Sequence, residues 1–166
     1  NEDSILEIQI DAEDIDEDAL VFEAICNNAE TSIQDNILTI LPSSDFNGGI
    51  SVVVSVSDGE FSDDTEFMIE VIAQNDPPQI LDISDQEMNE DEVLNINLSA
   101  NDIDGDQLFY SADSDLISDI IITGNLLTFI PSSDFNGGIS VVVSVSDGEF
   151  SDDTEFMIEV IAQNDP

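Results

Sequence analysis

Aspartates at alternate positions are the first residues here with chemistry in their spacing. Asp102-Ile103-Asp104 runs on into Gly105-Asp106, and Asp14-Ile15-Asp16 stands 88 residues earlier. Three more acidic motifs recur with them. These are Asn1-Glu2-Asp3 with Asn89-Glu90-Asp91, the Ser-Ser-Asp-Phe aspartates Asp45 and Asp134, and the Ser-Asp-Gly aspartates Asp58 and Asp147. A further polar group, Gln-Asn-Asp-Pro, occurs at 74–77 and 163–166. Carboxylates one residue apart repel unless a cation bridges them. Flexible oxygen ligands suit a large hard cation, calcium above all. For Asp102 and Asp104 the metal reading outweighs that of a solvated turn. Asp45 and Asp134 are equally well read as turn stabilisers that bond the backbone. Asp58 and Asp147 lie in Asp-Gly, a common hairpin turn without any metal. A helix-loop-helix calcium loop does not fit, because Gly105 is the fourth position of a loop that starts at Asp102, rather than the sixth, and strand residues follow at once.

Composition narrows the chemistry. The 166 residues hold 40 Asp and Glu and no Lys, Arg or His, a formal charge of −40. Nothing can neutralise nucleic-acid phosphate, and an anionic membrane surface would repel the chain. Without imidazole there is no His ligand and no Ser-His or Cys-His catalysis. Without lysine there is no Schiff base and no phosphate-loop lysine. Cys26 has no partner for an internal disulfide and is expected as a small buried apolar residue. No apolar run approaches the ~18 residues of a membrane span. No basic segment opens the chain, so a mature or internal fragment is expected. Hydrophobic residues still make up 41%, enough for a core. Forty like charges oppose compaction until counterions offset them.

The elements that must position these carboxylates come as one unit written twice. Residues 42–77 and 131–166 are identical at an offset of 89, and the front halves align at an offset of 88. Such identity exceeds what a shared fold needs and implies recent duplication within a longer array. Residues 78–88 form a leader before the second unit, with a strand-like run at Ile80, Leu81 and Ile83; the first unit lacks one. Side chains alternate with period two. Ile50, Val52, Val54 and Val56 face one way and Ser51, Ser55 and Ser57 the other. Phe67, Ile69 and Val71 alternate with Glu66, Met68 and Glu70. Ile8 and Ile10, and Val93, Leu94, Ile96 and Leu98, repeat the pattern. Residues 121–130 read as a hairpin about Gly124-Asn125, and Asn47-Gly48-Gly49 and Ser57-Asp58-Gly59 as turns. No segment keeps a helical period. The expected fold is all-β: two tandem immunoglobulin-like antiparallel β-sandwiches, the first lacking its leading strand. The expected domains are residues 1–76 and 77–166, hinged where Pro77 and Pro78 cannot continue a ladder.

These residues resemble cadherins. Residues 101–110, Asn-Asp-Ile-Asp-Gly-Asp-Gln-Leu-Phe-Tyr, are similar to the cadherin Asp-x-Asp stretch ahead of a Leu-x-Tyr strand. Ser57-Asp58-Gly59 resembles the Ala-x-Asp-Gly motif. Gln74-Asn75-Asp76-Pro77-Pro78 resembles the inter-module linker, and Asn1-Glu2-Asp3 the motif with a calcium-binding glutamate. With the Ser-Asp-Phe-Asn-Gly turns, both units look closest to the cadherin-like tandem modules of large bacterial surface adhesins. The resemblance implies Ca2+ between consecutive modules. One junction would be built from Glu2, Asp45, Asn75, Asp76, Asp102, Asp104 and Asp147. Asp14, Asp16, Asp58, Glu90, Asp134, Asn164 and Asp165 would form terminal half-sites. Ala73, Pro77, Ser43 and Ser44 depart from the family pattern, and Asp45 stands for a glutamate, so two or three ions are implied.

The expected function is a calcium-stiffened, non-enzymatic spacer at the cell surface. Its partners would be neighbouring repeats of the same polypeptide, with polysaccharide or another surface protein as further candidates. The alternative is a carbohydrate-binding module, disfavoured by the absence of Trp, the single Tyr110 and the placement of most of the nine Phe in strands. A glycosidase using paired carboxylates is disfavoured by the duplication and the lack of basic residues. A halophilic acidic surface explains the charge but not the ordered motifs. Neither terminus carries the leader, so a monomer or a fragment of a covalent array is expected rather than a strand-swapped polymer.

Overall fold

The computed structural model describes residues 1–116 and 118–164. It contains strands and no helix among those residues, in two compact units, Asn1–Gln74 and Asn75–Pro166. Unit 1 has six strands: β1 (Leu6–Gln9), β2 (Val21–Cys26), β3 (Ala29–Gln34), β4 (Ile37–Pro42), β5 (Gly48–Ser57) and β6 (Ser62–Val71). One sheet runs β1-β4-β3 and the other β2-β5-β6. Unit 2 adds β7 (Gln79–Ile80) and β8 (Gln86–Asn89), then β9 (Leu94–Asn97), β10 (Ala100–Asn101), β11 (Phe109–Ser114) and β12 (Ser118–Thr123). It ends with β13 (Leu126–Pro131), β14 (Gly137–Ser146) and β15 (Ser151–Ile161). Its sheets are β9-β13-β12, β11-β14-β15-β8 and the pair β10-β7.

The period-two reading becomes a core. In β5, Ile50, Val52 and Val54 are buried against Leu38 and Ile40 of β4, while Ser51 and Val53 between them are only half-buried on the other face. In unit 2, Ile139, Val141, Val143 and Val145 of β14 meet Leu127 and Phe129 of β13 in the same way. Alternation places one residue in two on the inner face of each sheet, and burying that face stabilises the fold at about 25 cal/mol per Å². The hairpin about Gly124-Asn125 forms, with Thr123 opposite Leu126.

Two local expectations are corrected. The chain turns at Ser44-Asp45, where the Phe46 N–H donates to the Ser43 carbonyl at 3.1 Å, and not at 47–49. Gly48 and Gly49 already belong to β5; Gly48 has φ +117°, a backbone conformation that favours glycine. The leader makes two strands rather than a run through Ile83. Residues Gln79–Ile80 pair with β10, and β8 joins β15 in parallel with Met88 opposite Val160. Gln86-Glu87-Met88-Asn89 carries one apolar residue, so no alternation marked it as a strand. The corresponding edge of β6 in unit 1 has no strand partner among the described residues.

The side chains expected in the core are not all there. Phe129 and Phe156 are buried and Phe22, Phe46, Phe67 and Phe135 pack against the cores, but Phe61, Phe109 and Phe150 are exposed. Phe61 and Phe150 lie in β-hairpin loops, where their carbonyls accept the Ser57 and Ser146 hydroxyls at 2.9 and 2.7 Å. Cys26 is half-buried, and desolvation raises its pKa above the usual thiol value; its Sγ donates to the Ala29 carbonyl at 3.2 Å.

Candidate metal centre

Strand direction sorts the carboxylates of each unit into two ends. In unit 1, β1 is antiparallel to β4, and β5 starts where β4 ends. Glu2, Asp3 and Asp45 therefore share the end at which β6 runs out toward Gln74. Asp14, Asp16 and Asp58 share the other. Unit 2 repeats the plan: Glu90, Asp91, Asp134 and Asn164 lie at one end, and Asp102, Asp104, Asp106 and Asp147 at the other, where Asn75 and Asp76 enter. Asp165 lies outside the described residues.

At the Glu end the two units anchor their glutamate in the same way. The Glu2 N–H donates to the Ile72 carbonyl at 3.0 Å, and its carboxylate accepts the Gln74 N–H. The Glu90 N–H donates to Ile161 at 3.0 Å, and its carboxylate accepts the Gln163 N–H at 2.6 Å. Both glutamates are buried, at 3% and 6% exposure, which an ionised carboxylate tolerates only with partners of this kind. Beside them, the Asp45 N–H donates to Asp3 Oδ1 at 3.3 Å, and the Asp134 N–H to Asp91 Oδ1 at 3.4 Å. Asp3 and Asp91 were not in the expected ligand set. They hold φ of 54° and 60°, a conformation Asp adopts more readily than most residues.

The other end of unit 2 is the richer one. Asp102 Oδ1 accepts the Asp106 N–H at 3.0 Å, which curls the loop and brings Asp102, Asp104 and Asp106 together. Each of the three offers an oxygen within 4.8 Å of the others. Asp106 is an addition to the expected set; its signal was present in the alternation Asp102-x-Asp104-x-Asp106. Asp102 Oδ2 is buried and accepts no hydrogen bond among the described residues. An orphaned buried carboxylate oxygen costs about 1–3 kcal/mol or more, and a cation removes that cost. The linker is tied to the same end, through the Asp76 N–H on Asp104 Oδ2 at 2.8 Å and the Asn75 amide on Asp147 Oδ2 at 2.8 Å.

Asp147 does two jobs. Its Oδ1 accepts the Glu149 and Phe150 N–H groups, each at 2.7 Å, closing the hairpin loop, while Oδ2 faces the linker. Desolvation pushes its carboxyl upward, but these donors outweigh that and hold it below the ordinary carboxylate range. Asp58 closes the matching loop of unit 1 through Phe61 and Glu60, each at 2.7 Å, and those bonds hold its pKa low. The turn reading of Asp58 and Asp147 is thus present, and in Asp147 it leaves one oxygen for the linker. Asp14 repeats the role of Asp102, accepting from Asp16 and Asp18 at 2.9 and 3.0 Å. The donors at this end of unit 2 are all oxygens, several charged, on loops of adjustable geometry. They fit calcium and do not fit metals that demand nitrogen or sulfur.

The model of the bacterial Ig domain matches residues 75–158, more than half of the chain. The chain belongs to that family. Its fold is also that of cadherin domains. The EC1-2 structures of human protocadherin-24 superpose with TM-scores of 0.58 and 0.54, each at 16% identity, covering 95% of this chain and 88% of that one. An endo-fucoidan hydrolase of glycoside hydrolase family 107 matches at TM-score 0.42 and 24% identity. It covers 97% of this chain, which spans 26% of that one. No curated protein matches in sequence. The chain is thus a bacterial Ig-like, cadherin-like tandem repeat.

Proposed function

We propose that the repeat is a calcium-binding structural spacer of an extracellular bacterial adhesin, and that calcium bound where the units join stiffens the array. The carrying observation is the Asp102, Asp104 and Asp106 cluster, with the orphaned oxygen of Asp102 and the linker residues Asn75 and Asp76 bonded beside it. Calcium at this end would be held by Asp102, Asp104, Asp106 and Asp147, with Asn75 and Asp76 of the linker and Glu2 and Asp45 of unit 1 completing the junction. When bound it supplies positive charge. The protein's part is to present oxygens that the backbone bonds of Asp102 and Asp147 have already aimed. Asp14, Asp16 and Asp58, and Glu90, Asp134, Asn164 and Asp165, are the equivalent half-sites for further repeats. Neighbouring repeats are the partners, and the cell surface is the location.

Extracellular modules bind calcium with dissociation constants on the order of 10⁻⁴ to 10⁻³ M. At tenfold excess, each ion stabilises the bound form by about 1.4 kcal/mol. Small-angle scattering in calcium and in chelator is the test. A longer, stiffer particle in calcium is expected. Asp102→Asn with Asp104→Asn should remove the difference, and Asp14→Asn with Asp16→Asn should leave most of it. A calcium-independent particle, or equal effects of the two double substitutions, would overturn the reading.

A further inference from the structure

A glycine that follows Asp or Asn favours one covalent route, attack of its amide nitrogen on the neighbouring side-chain carbonyl carbon, because no Cβ hinders the approach. The chain holds five such pairs: Asn47-Gly48, Asp58-Gly59, Asp104-Gly105, Asn136-Gly137 and Asp147-Gly148. Four of them are held away from that route. Gly48 and Gly137 open β5 and β14 and sit in the ladder opposite Val71 and Val160. The Gly59 and Gly148 N–H groups donate to the Ser57 and Ser146 hydroxyls, each at 3.1 Å. In the same two loops the aspartate Oδ1 is fixed by backbone donors at 2.7 Å, Glu60 and Phe61 for Asp58 and Glu149 and Phe150 for Asp147. Nucleophile and electrophile are both engaged there, so neither can take up the geometry of attack.

Asp104-Gly105 is built differently. Both residues are exposed, and the Gly105 N–H makes no hydrogen bond among the described residues. Gly105 has φ +77°, and a Cβ added to it would meet nothing within 4 Å, so the approach to its nitrogen is open. The position equivalent to Gly105 in unit 1 is Glu17, at φ 61°, so this turn forms without glycine as well. The reactive pair is therefore peculiar to the Asp102, Asp104 and Asp106 cluster of unit 2.

We propose that Asp104 is a site of isomerisation to isoaspartate, and that this change disables the metal centre of unit 2 once the centre has lost calcium. The disabling step rests on the calcium reading given above. The Gly105 nitrogen bonds to Asp104 Cγ, and one carboxylate oxygen leaves as water, taking the amide hydrogen and a solvent proton. The product is a cyclic succinimide. Water then cleaves the bond between the Gly105 nitrogen and the main-chain carbonyl carbon of Asp104, and the chain continues through Cγ. Water leaves and water returns, so mass and oxidation state are unchanged. The backbone gains a methylene carbon, and the carboxylate now stands directly on Cα. It is displaced from the oxygens of Asp102 and Asp106 and from the Asp76 N–H that Asp104 Oδ2 accepts at 2.8 Å. A carboxylate that ligates calcium is withheld from attack, so the bound centre is protected and the calcium-free one ages.

The test is to age the intact chain at neutral pH in chelator and in calcium, and to locate isoaspartate by mass-spectrometric fragmentation that separates it from aspartate. In chelator, Asp104 should convert at least about tenfold faster than Asp58 and Asp147. Calcium should slow conversion of Asp104 at least about tenfold and leave Asp58 unchanged. Gly105→Glu, in a backbone conformation that Glu17 already adopts, should suppress conversion in chelator with an unchanged far-ultraviolet spectrum. In aged chains, the calcium binding that Asp102→Asn with Asp104→Asn removes should be lost in proportion to isoaspartate at 104. Equal rates at the three aspartates in chelator, or a Gly105→Glu chain that converts as fast as its parent, would overturn the proposal. So would conversion of Asp104 that calcium does not slow, in a chain whose calcium binding is measured by calorimetry. A fresh chain that binds no calcium yet converts fast at Asp104 would overturn the calcium reading and the disabling step with it, and would keep Asp104 as the reactive site.

Discussion

A single carboxylate in this chain often carries two duties, one for each oxygen. Asp147 closes its hairpin loop with Oδ1 and holds the linker amide of Asn75 with Oδ2. Removing the second duty should be visible in titration. Asn75→Ala is expected to raise the pKa of Asp147 and leave that of Asp58 where it is, measured by carboxyl-carbon NMR in chelator. An unmoved Asp147 would contradict the linker bond. The sign for stability follows from the same bonds. A carboxyl held below its unfolded pKa adds stability above the unfolded value and loses it as pH falls through the folded one. Without calcium, Asp58 and Asp147 therefore support the fold at neutral pH, and that support disappears only in acid below the ordinary carboxylate range. Asp102 differs, because its Oδ2 is buried without a donor. Asp102→Asn with Asp104→Asn should lower calcium affinity at least about tenfold, about 1.4 kcal/mol, with an unchanged β-sheet spectrum. Calorimetry checks the first and far-ultraviolet dichroism the second.

Strands with one sequence meet different surroundings here. β6 and β15 share residues 62–71 and 151–160, and both follow identical partners, β5 and β14. Only β15 is flanked by β8. Removing a fully buried Phe costs about 3–5 kcal/mol through lost transfer energy and the cavity left behind. Phe156→Ala should fall in that range. Phe67→Ala should cost less than about 3 kcal/mol, because part of the ring already meets water and the neighbouring cavity exists before the substitution. Denaturant midpoints of the two variants, assigned by unit-specific probes, make the comparison. Equal costs would mean that the leader contributes nothing to how the ring is packed.

Across the whole molecule, −40 of charge acts on two units of unequal core. Unit 1 buries fewer apolar side chains, so it is expected to unfold first, giving two steps in calcium-free thermal unfolding rather than one. Self-repulsion opposes both units. Raising monovalent salt from about 0.01 M to about 0.15 M shortens the screening length from roughly 30 to 8 Å. Both midpoints should therefore rise without any calcium. A fall in either midpoint with salt would show that repulsion is not the dominant electrostatic effect in that unit.

The all-β class and the doubled unit were legible in the residues alone, because alternation and repetition are local properties of a sequence. Asp102 and Asp104 were legible as candidate ligands from their spacing, although the Asp106 N–H bond to Asp102 Oδ1 is what curls the loop and gathers them. The leader strand β8 was not legible: Gln-Glu-Met-Asn becomes a strand only because β15 offers it an edge and a pocket for Met88. Nor was the division of labour between the two oxygens of Asp147, which depends on Asn75, 72 residues away in sequence. The exposure of Phe61, Phe109 and Phe150 was likewise hidden, because composition counts aromatics without saying which side of a sheet or which loop they occupy. Local pattern determined the elements and the candidate ligands. Which edge is covered, which oxygen is left without a partner and which Phe is sealed from water were decided by contacts between residues far apart in the chain.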